Sequence, residues 1–329
     1  MRAHTEVIRE IEGFVEENLS LLKQVPDSWQ PSDLLPDMTT EGWREKVAHL
    51  RAQALSVPDE VLVVLIGNTV TEEALPSYQT MINRHPGVTD STGASDSPWA
   101  RWSRGWTAEE NRHGEILSRY LYLSGRIDMR AFEVTTQHLL RNGFDPKTDN
   151  DPYKGLIYTS FQERATKISH GNTARLANQA GDPLLGNICA LVTGDESRHE
   201  EAYKRFVGKI VELDPSEGVL AFAQMMKNTI TMPARRMADG GEADLYGQFA
   251  VVAQRLGIYT IRDYADIIDH LMGYWKIAGL SGLTGEAAKA QDYLGSLAHR
   301  YRGLAERAEG KSSEPPAKAP FRWIFNRAA

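Results

Sequence analysis

Glu110 with His113, in the run EENRHG, and Glu196 with His199, in DESRHE, are two copies of one spacing, Glu-x-x-His, in a chain of 329 residues. Three positions apart on a helix, a carboxylate and an imidazole share a face and can reach a common ion. Each pair interrupts an apolar stripe. The first stripe runs Trp99, Trp102, Trp106, Glu110, His113, Leu117, Tyr120, and the second runs Leu185, Ile188, Val192, Glu196, His199, Tyr203, Phe206, Ile210. A carboxylate inside such a stripe is costly to bury unless a cation meets it. One such pair reads as an ion-paired helix face, with Arg112 or Arg198 as partner; two, both in apolar stripes, point to a metal centre.

A di-metal centre in a four-helix bundle requires two further glutamates, one from each remaining helix. TEEALPSYQ offers Glu72 or Glu73, and SFQERAT offers Glu163. Glu72 shares a stripe with Val61, Leu65, Asn68, Leu75 and Gln79, and Pro76 lacks the N–H that would bond its carbonyl, so a kink is expected there. Glu73 also has apolar neighbours, Leu62 and Ile66, and the residues alone leave both open. The face of Glu163, with Thr159, Thr166 and His170, is less apolar. Four carboxylates would balance two ferrous ions, and an oxygen-rich set with two imidazoles suits iron or manganese better than structural zinc. Cys189 reads as a small buried thiol, and His170 as a core residue or a support for a ligand.

The elements that must position these residues read as helical almost throughout. Periodicity near 3.6 predicts helices over about 3–24, 41–55, 58–85, 97–124, 127–142, 152–180, 184–213, 216–230, 242–256, 259–278 and 283–309, with no convincing strand. The expected fold is all-α, a four-helix bundle core with additional packed helices. Residues 1–310 read as a single domain, because only KSSEPPAKAP, 311–320, has linker composition; Phe321, Trp323, Ile324 and Phe325 beyond it form an apolar tail expected to dock back.

A net charge of −7 disfavours nucleic acid as a partner. The longest apolar run, Val61 to Ile66, is far shorter than the ~18 residues of a membrane-spanning helix. The start lacks the apolar region of a secretory signal and is too acidic for a transit peptide, so a cytoplasmic location is expected. The single cysteine excludes an internal disulfide framework and any multi-thiolate metal site.

The segments TEEALPSYQTM, WTAEENRHG, YLYLSGRIDMR, IYTSFQERATKISHGNTAR and DESRHE resemble the soluble acyl-carrier-protein desaturases, from about Trp29 to the RWIF tail. The resemblance implies a ferritin-like fold with two iron ions on Glu72, Glu110, His113, Glu163, Glu196 and His199, and thereby selects Glu72. It implies that Thr166 relays protons near the oxygen-binding face, where the residue alone reads as a helix hydroxyl bonded back to a carbonyl. It further implies that Asp195 and Trp29 form an electron route to His113, and that Tyr78, Met81 and Gly155 line the acyl channel. Arg84 and His85 depart from the uncharged residues usual in that region. The implied activity is dioxygen-dependent insertion of a double bond into an acyl chain on acyl carrier protein, with a ferredoxin-like electron donor and a homodimeric assembly. Docking of an acidic carrier requires a local basic cluster, for which Lys23, Lys204, Arg205, Lys209, Arg235 and Arg236 are candidates, although each also reads as a solvated cation. The alternatives are another di-iron oxidase, such as a ribonucleotide reductase small subunit, and a ferritin-like iron-binding protein without desaturase activity.

Overall fold

The computed structural model describes residues 3–241, 244–311 and 318–329. Most of the linker-like segment, 312–317, lies outside the described residues. The chain folds as α1 (His4–Glu10), α2 (Glu12–Asn18), α3 (Pro31–Leu34), α4 (Trp43–Ala54), α5 (Asp59–Glu73), α6 (Leu75–Asn83), α7 (Pro98–Ser124) and α8 (Met129–Asn142). There follow α9 (Pro152–Ala180), α10 (Pro183–Leu213), α11 (Pro215–Lys227), α12 (Leu245–Arg255), α13 (Ile261–Tyr274) and α14 (Gly285–Lys311). Among the described residues, no single helix is long and apolar enough to cross a membrane; α4 and the α5–α6 segment pass together but bend by 114°.

The bundle consists of α5, α7, α9 and α10. Three of these are long, and each starts the same way: Ser97-Pro98, Asp151-Pro152 and Asp182-Pro183. The side chain of the first residue accepts a backbone N–H of the opening turn, and proline occupies the position whose N–H would be orphaned. Gly125 and Gly181 end α7 and α9 in the left-handed region, at φ 66° and 90°.

The fourth helix breaks as Pro76 predicts. α5 stops at Glu73, Ala74 leaves helical geometry, and α6 restarts with Pro76 in its first turn. Residues 3–24, expected as one helix, are instead α1, α2 and a 3₁₀ turn at Leu19–Leu21. The reason is tertiary: the Ile8 carbonyl, which a continuous helix would bond internally, accepts the indole N–H of Trp99 at 2.9 Å.

Two apolar cores lie at the two ends of the bundle. One gathers Trp99, Trp102, Phe206, Phe222 and Leu271, the other Leu62, Leu65, Tyr120, Ile188 and Trp323. The C-terminal residues form a two-stranded antiparallel hairpin that the periodicity did not show, β1 (Pro320–Phe321) with β2 (Arg327–Ala328), turned through left-handed Phe325 and Asn326. Trp323 is buried and its indole N–H donates to Thr135 Oγ1 at 2.9 Å.

Candidate metal centre and substrate cavity

α5, α7, α9 and α10 bring all six side chains singled out by the sequence into one buried volume. Glu72, Glu110, His113 and Glu196 each offer a ligand atom within 4.8 Å of the others, as do Glu110, Glu163, Glu196 and His199. Glu110 and Glu196 belong to both groups, so each could serve either of two neighbouring ions. Glu73 points away, half-buried beside Ser118.

Both imidazoles are fixed from behind by an acid on the opposite helix. Asp195 on α10 holds Nε2 of His113 at 3.4 Å, and Glu109 on α7 holds Nε2 of His199 at 3.0 Å. With the proton on Nε2, each Nδ1 lone pair faces the carboxylates. These Nδ1 atoms, with Oε1 of Glu110 and of Glu196, are buried without a hydrogen bond, although His199 Nδ1 lies 2.7 Å from Glu110 Oε1. Buried lone pairs that converge on one volume are what a cation satisfies, so this side-chain set fits a metal ion.

Electrostatics without a cation point the same way. Burial pushes Glu72 and Glu163 up from the usual carboxylate range, and repulsion from neighbouring glutamates adds to it. Burial also opposes charge on Glu110, but attraction from His113 and His199 outweighs it and brings Glu110 down to about 2. The surrounding acids then hold His113 and His199 well above the ordinary imidazole value despite burial.

Around this centre, His170 Nε2 meets Glu72 Oε1 at 2.8 Å and the indole N–H of Trp106 donates to Glu163 Oε1 at 3.0 Å. Trp29, half-buried, donates to Asp195 Oδ2 at 3.0 Å and stacks near His113 with ring centroids 6.3 Å apart. The sequence reading missed Glu109. Its signal was present, since an acid precedes the glutamate in both Glu-x-x-His copies.

Two cavities flank the centre and share Thr71, Glu72, Thr166 and Pro233 as walls. The larger, about 310 Å³, is lined by Tyr246, Phe249, Tyr259 and Tyr264 among others. The smaller, about 60 Å³, is lined by Tyr78, Met81, Phe144 and Tyr158 and reaches Glu110, Glu163 and Glu196. Thr166 Oγ1 donates back toward the carbonyls of Gln162 and Glu163, at 3.0 and 3.1 Å, and borders both cavities. Gly155 is not part of this lining. It lies under the buried ring of His85, so close that a Cβ at position 155 would sit 2.6 Å from the imidazole.

Among the proposed docking cations, Lys204 is buried and paired with Glu200 and Glu201, which removes it from the surface. Arg205 pairs with Glu201 and Lys209 with Glu212, and Lys23 lies 3.9 Å from Asp195. Arg235 and Arg236 are exposed, on the 3₁₀ turn Pro233–Arg236 that contributes Pro233 to both cavities.

Residues 3–325 match the fatty acid desaturase family. The chain is 55% identical over 323 residues to the chloroplastic acyl-[acyl-carrier-protein] desaturase of Cucumis sativus, covering 98% of this chain and 81% of the relative. It is 54% identical, with the same coverage, to the chloroplastic stearoyl-[acyl-carrier-protein] 9-desaturase of Ricinus communis. An X-ray structure of a candidate acyl-ACP desaturase, DesA2 of Mycobacterium tuberculosis, shares the fold at a TM-score of 0.54 and 22% identity, over 84% of this chain and 97% of that one. By sequence along nearly its whole length, and by a ferritin-like fold that gathers carboxylates and imidazoles in its core, this chain belongs to the fatty acid desaturase family.

Proposed function

We propose that this chain introduces a double bond into a saturated fatty acyl group borne by acyl carrier protein, at two iron ions held by Glu72, Glu110, His113, Glu163, Glu196 and His199. The observation that carries this reading is the convergence of these six side chains beside an apolar cavity. Relatives more than half identical are named as acyl-[acyl-carrier-protein] desaturases, which supports the carrier as the form of the substrate. The balanced reaction takes two hydrogens from adjacent carbons and, with dioxygen, two electrons and two protons, yields an alkene and two waters. Iron bound at this centre would supply the oxidising power that no side chain has against an unactivated methylene.

The chain's own residues supply position and protons. The two cavities would hold the acyl chain on either side of the shared wall, so that the carbons beside Glu72 and Thr166 are those presented for reaction. The Thr166 hydroxyl, on that wall, is placed to hold or pass a proton at Oγ1. Trp29, Asp195 and His113 form a contiguous path from the half-buried indole inward, suited to a ferredoxin-like one-electron donor. We assign residues 1–310 to one domain and 311–329 to a docked tail, and place the protein in the cytoplasm, a reading that rests on the lone cysteine. A homodimer would cover the outward face of α7, which lies between surface grooves and leaves Tyr122 exposed.

Iron-loaded protein supplied with saturated acyl carrier protein of several lengths, ferredoxin, its reductase and dioxygen should give a product two mass units lighter. Bound iron with no unsaturated product at any length would favour an iron-binding protein or another oxidase instead.

A further inference from the structure

One end of the metal centre adjoins a group of oxidisable rings that the desaturation chemistry does not use. Trp106 borders the small cavity, and its N–H bonds to Glu163 Oε1. Behind it, Tyr203 packs edge-on against Trp106 at 6.1 Å between centroids and against Trp102 at 5.7 Å. All three are buried. Trp102 Nε1 and Tyr203 Oη lie near one another, yet neither has a hydrogen bond of ordinary geometry. Packing alone does not account for these side chains, because phenylalanine fills such space without leaving a buried hydroxyl or indole N–H unpaired, at a cost of about 1–3 kcal/mol each.

We propose that Trp106 and Trp102 are a redox sink: when dioxygen reacts at the reduced metal centre with no acyl chain in the cavity, these indoles give up electrons in place of the metal-binding side chains. This inference rests on the proposed di-iron function. In the first step Trp106 loses one electron to the oxidised centre and becomes a radical cation; its proton stays on Nε1, in the bond to Glu163, whose negative charge stabilises the cation. In the second, Trp102 gives one electron to Trp106 across the Tyr203 ring, moving the hole away from the metal. That transfer restores Trp106, and one electron from the external donor that reduces the metal then returns Trp102 to its resting state. Tyr203 does not hold the hole, since phenol oxidation expels a proton and no acceptor is bonded to its hydroxyl. The contrast with Trp29 is one of exposure: Trp29 reaches the surface and can admit electrons, whereas Trp106 and Trp102 are enclosed and can only store a vacancy.

The test uses the whole iron-loaded protein, reduced, mixed with dioxygen without acyl carrier protein, and frozen for electron paramagnetic resonance. Oxygen consumption and iron content are measured on the same sample. The expected result is an organic radical whose spectrum narrows when the protein carries ring-deuterated tryptophan and does not change with ring-deuterated tyrosine. Trp106→Phe should abolish it and raise oxidative modification of the His113 and His199 peptides by mass spectrometry; Trp102→Phe, which touches neither cavity nor metal-binding side chain, should shorten its lifetime. Oxygen uptake with no organic radical, a signal that responds to labelled tyrosine, or an unchanged signal in Trp106→Phe overturns the proposal. Failure to bind iron or consume oxygen would instead refute the function on which it rests.

Discussion

Each imidazole at the metal centre is aimed by an acid borne on the other helix, so that α7 and α10 orient one another's histidines. Glu109 also accepts the backbone N–H of Lys23 at 2.7 Å and an Arg198 guanidinium N–H at 2.6 Å; burial opposes its charge, but His199 and then Arg198 hold its carboxyl below the usual range. Glu109→Gln retains the shape and removes the charge. Its iron affinity is expected to fall about 10- to 100-fold with little change in helicity, measured by competition with a chelator alongside circular dichroism. Affinity equal to that of the unmodified protein would show that Glu109 only anchors Arg198. The convergence of the two Glu-x-x-His pairs was legible in sequence because i, i+3 spacing puts both side chains on one face. Glu109 was signalled only by its parallel with Asp195, and its role was not legible, because a residue preceding the pair points off that face and only the packing of α7 on α10 shows that it crosses to His199.

Helix starts were legible for a local reason: Ser-Pro and Asp-Pro carry their own capping chemistry, and Pro76 carries its own break. The division between α1 and α2 was not, since it is imposed by Trp99, which is 91 positions from Ile8. A contact near the small cavity is likewise set between elements: beyond Ile82 and Thr159, which line it, the His85 ring of the segment after α6 covers Gly155 of α9. His85→Ala should lengthen the cavity and shift the preferred acyl chain upward by one or more two-carbon steps, read from product distributions. Gly155→Ala should force the imidazole aside and lower stability by about 1–3 kcal/mol, read from thermal unfolding. At the far end of the chain, Asp59 at the start of α5 receives Arg327 of β2 at 2.6 and 2.9 Å, and this bond, outweighing burial, lowers its pKa. A depressed carboxyl contributes stability above its unfolded pKa of about 3.9, and the contribution disappears as pH falls through the lower folded value. The protection of amides in residues 318–329, measured relative to their intrinsic exchange rates, should therefore fall below about pH 4, and in Asp59→Asn it should already be lower at neutral pH.

For the molecule as a whole, a charge of −7 must be reconciled with the acidic carrier proposed as its partner. Burial decides which cations can take part: Lys204 is enclosed by acids, whereas Arg235 and Arg236 stand exposed beside the cavity wall. Reversing both to glutamate should raise the KM for acyl carrier protein about 10-fold or more, leave kcat largely intact, and flatten the dependence on salt. A change confined to kcat would remove this surface from docking. Charge type is read directly from sequence, whereas availability depends on which carboxylates the fold sets beside each cation. The interruption at Ala74 has a further consequence for the assembled molecule. Glu110, Glu163 and Glu196 are mounted mid-span on rods of 27, 29 and 31 residues, gripped along their length by neighbours. Glu72 hangs from the final turn of its rod, just before the chain changes direction, so the centre has three stiff supports and one compliant one. If two metal ions are held here and change their separation, the adjustment would fall on Glu72, and on His170 which meets it at 2.8 Å.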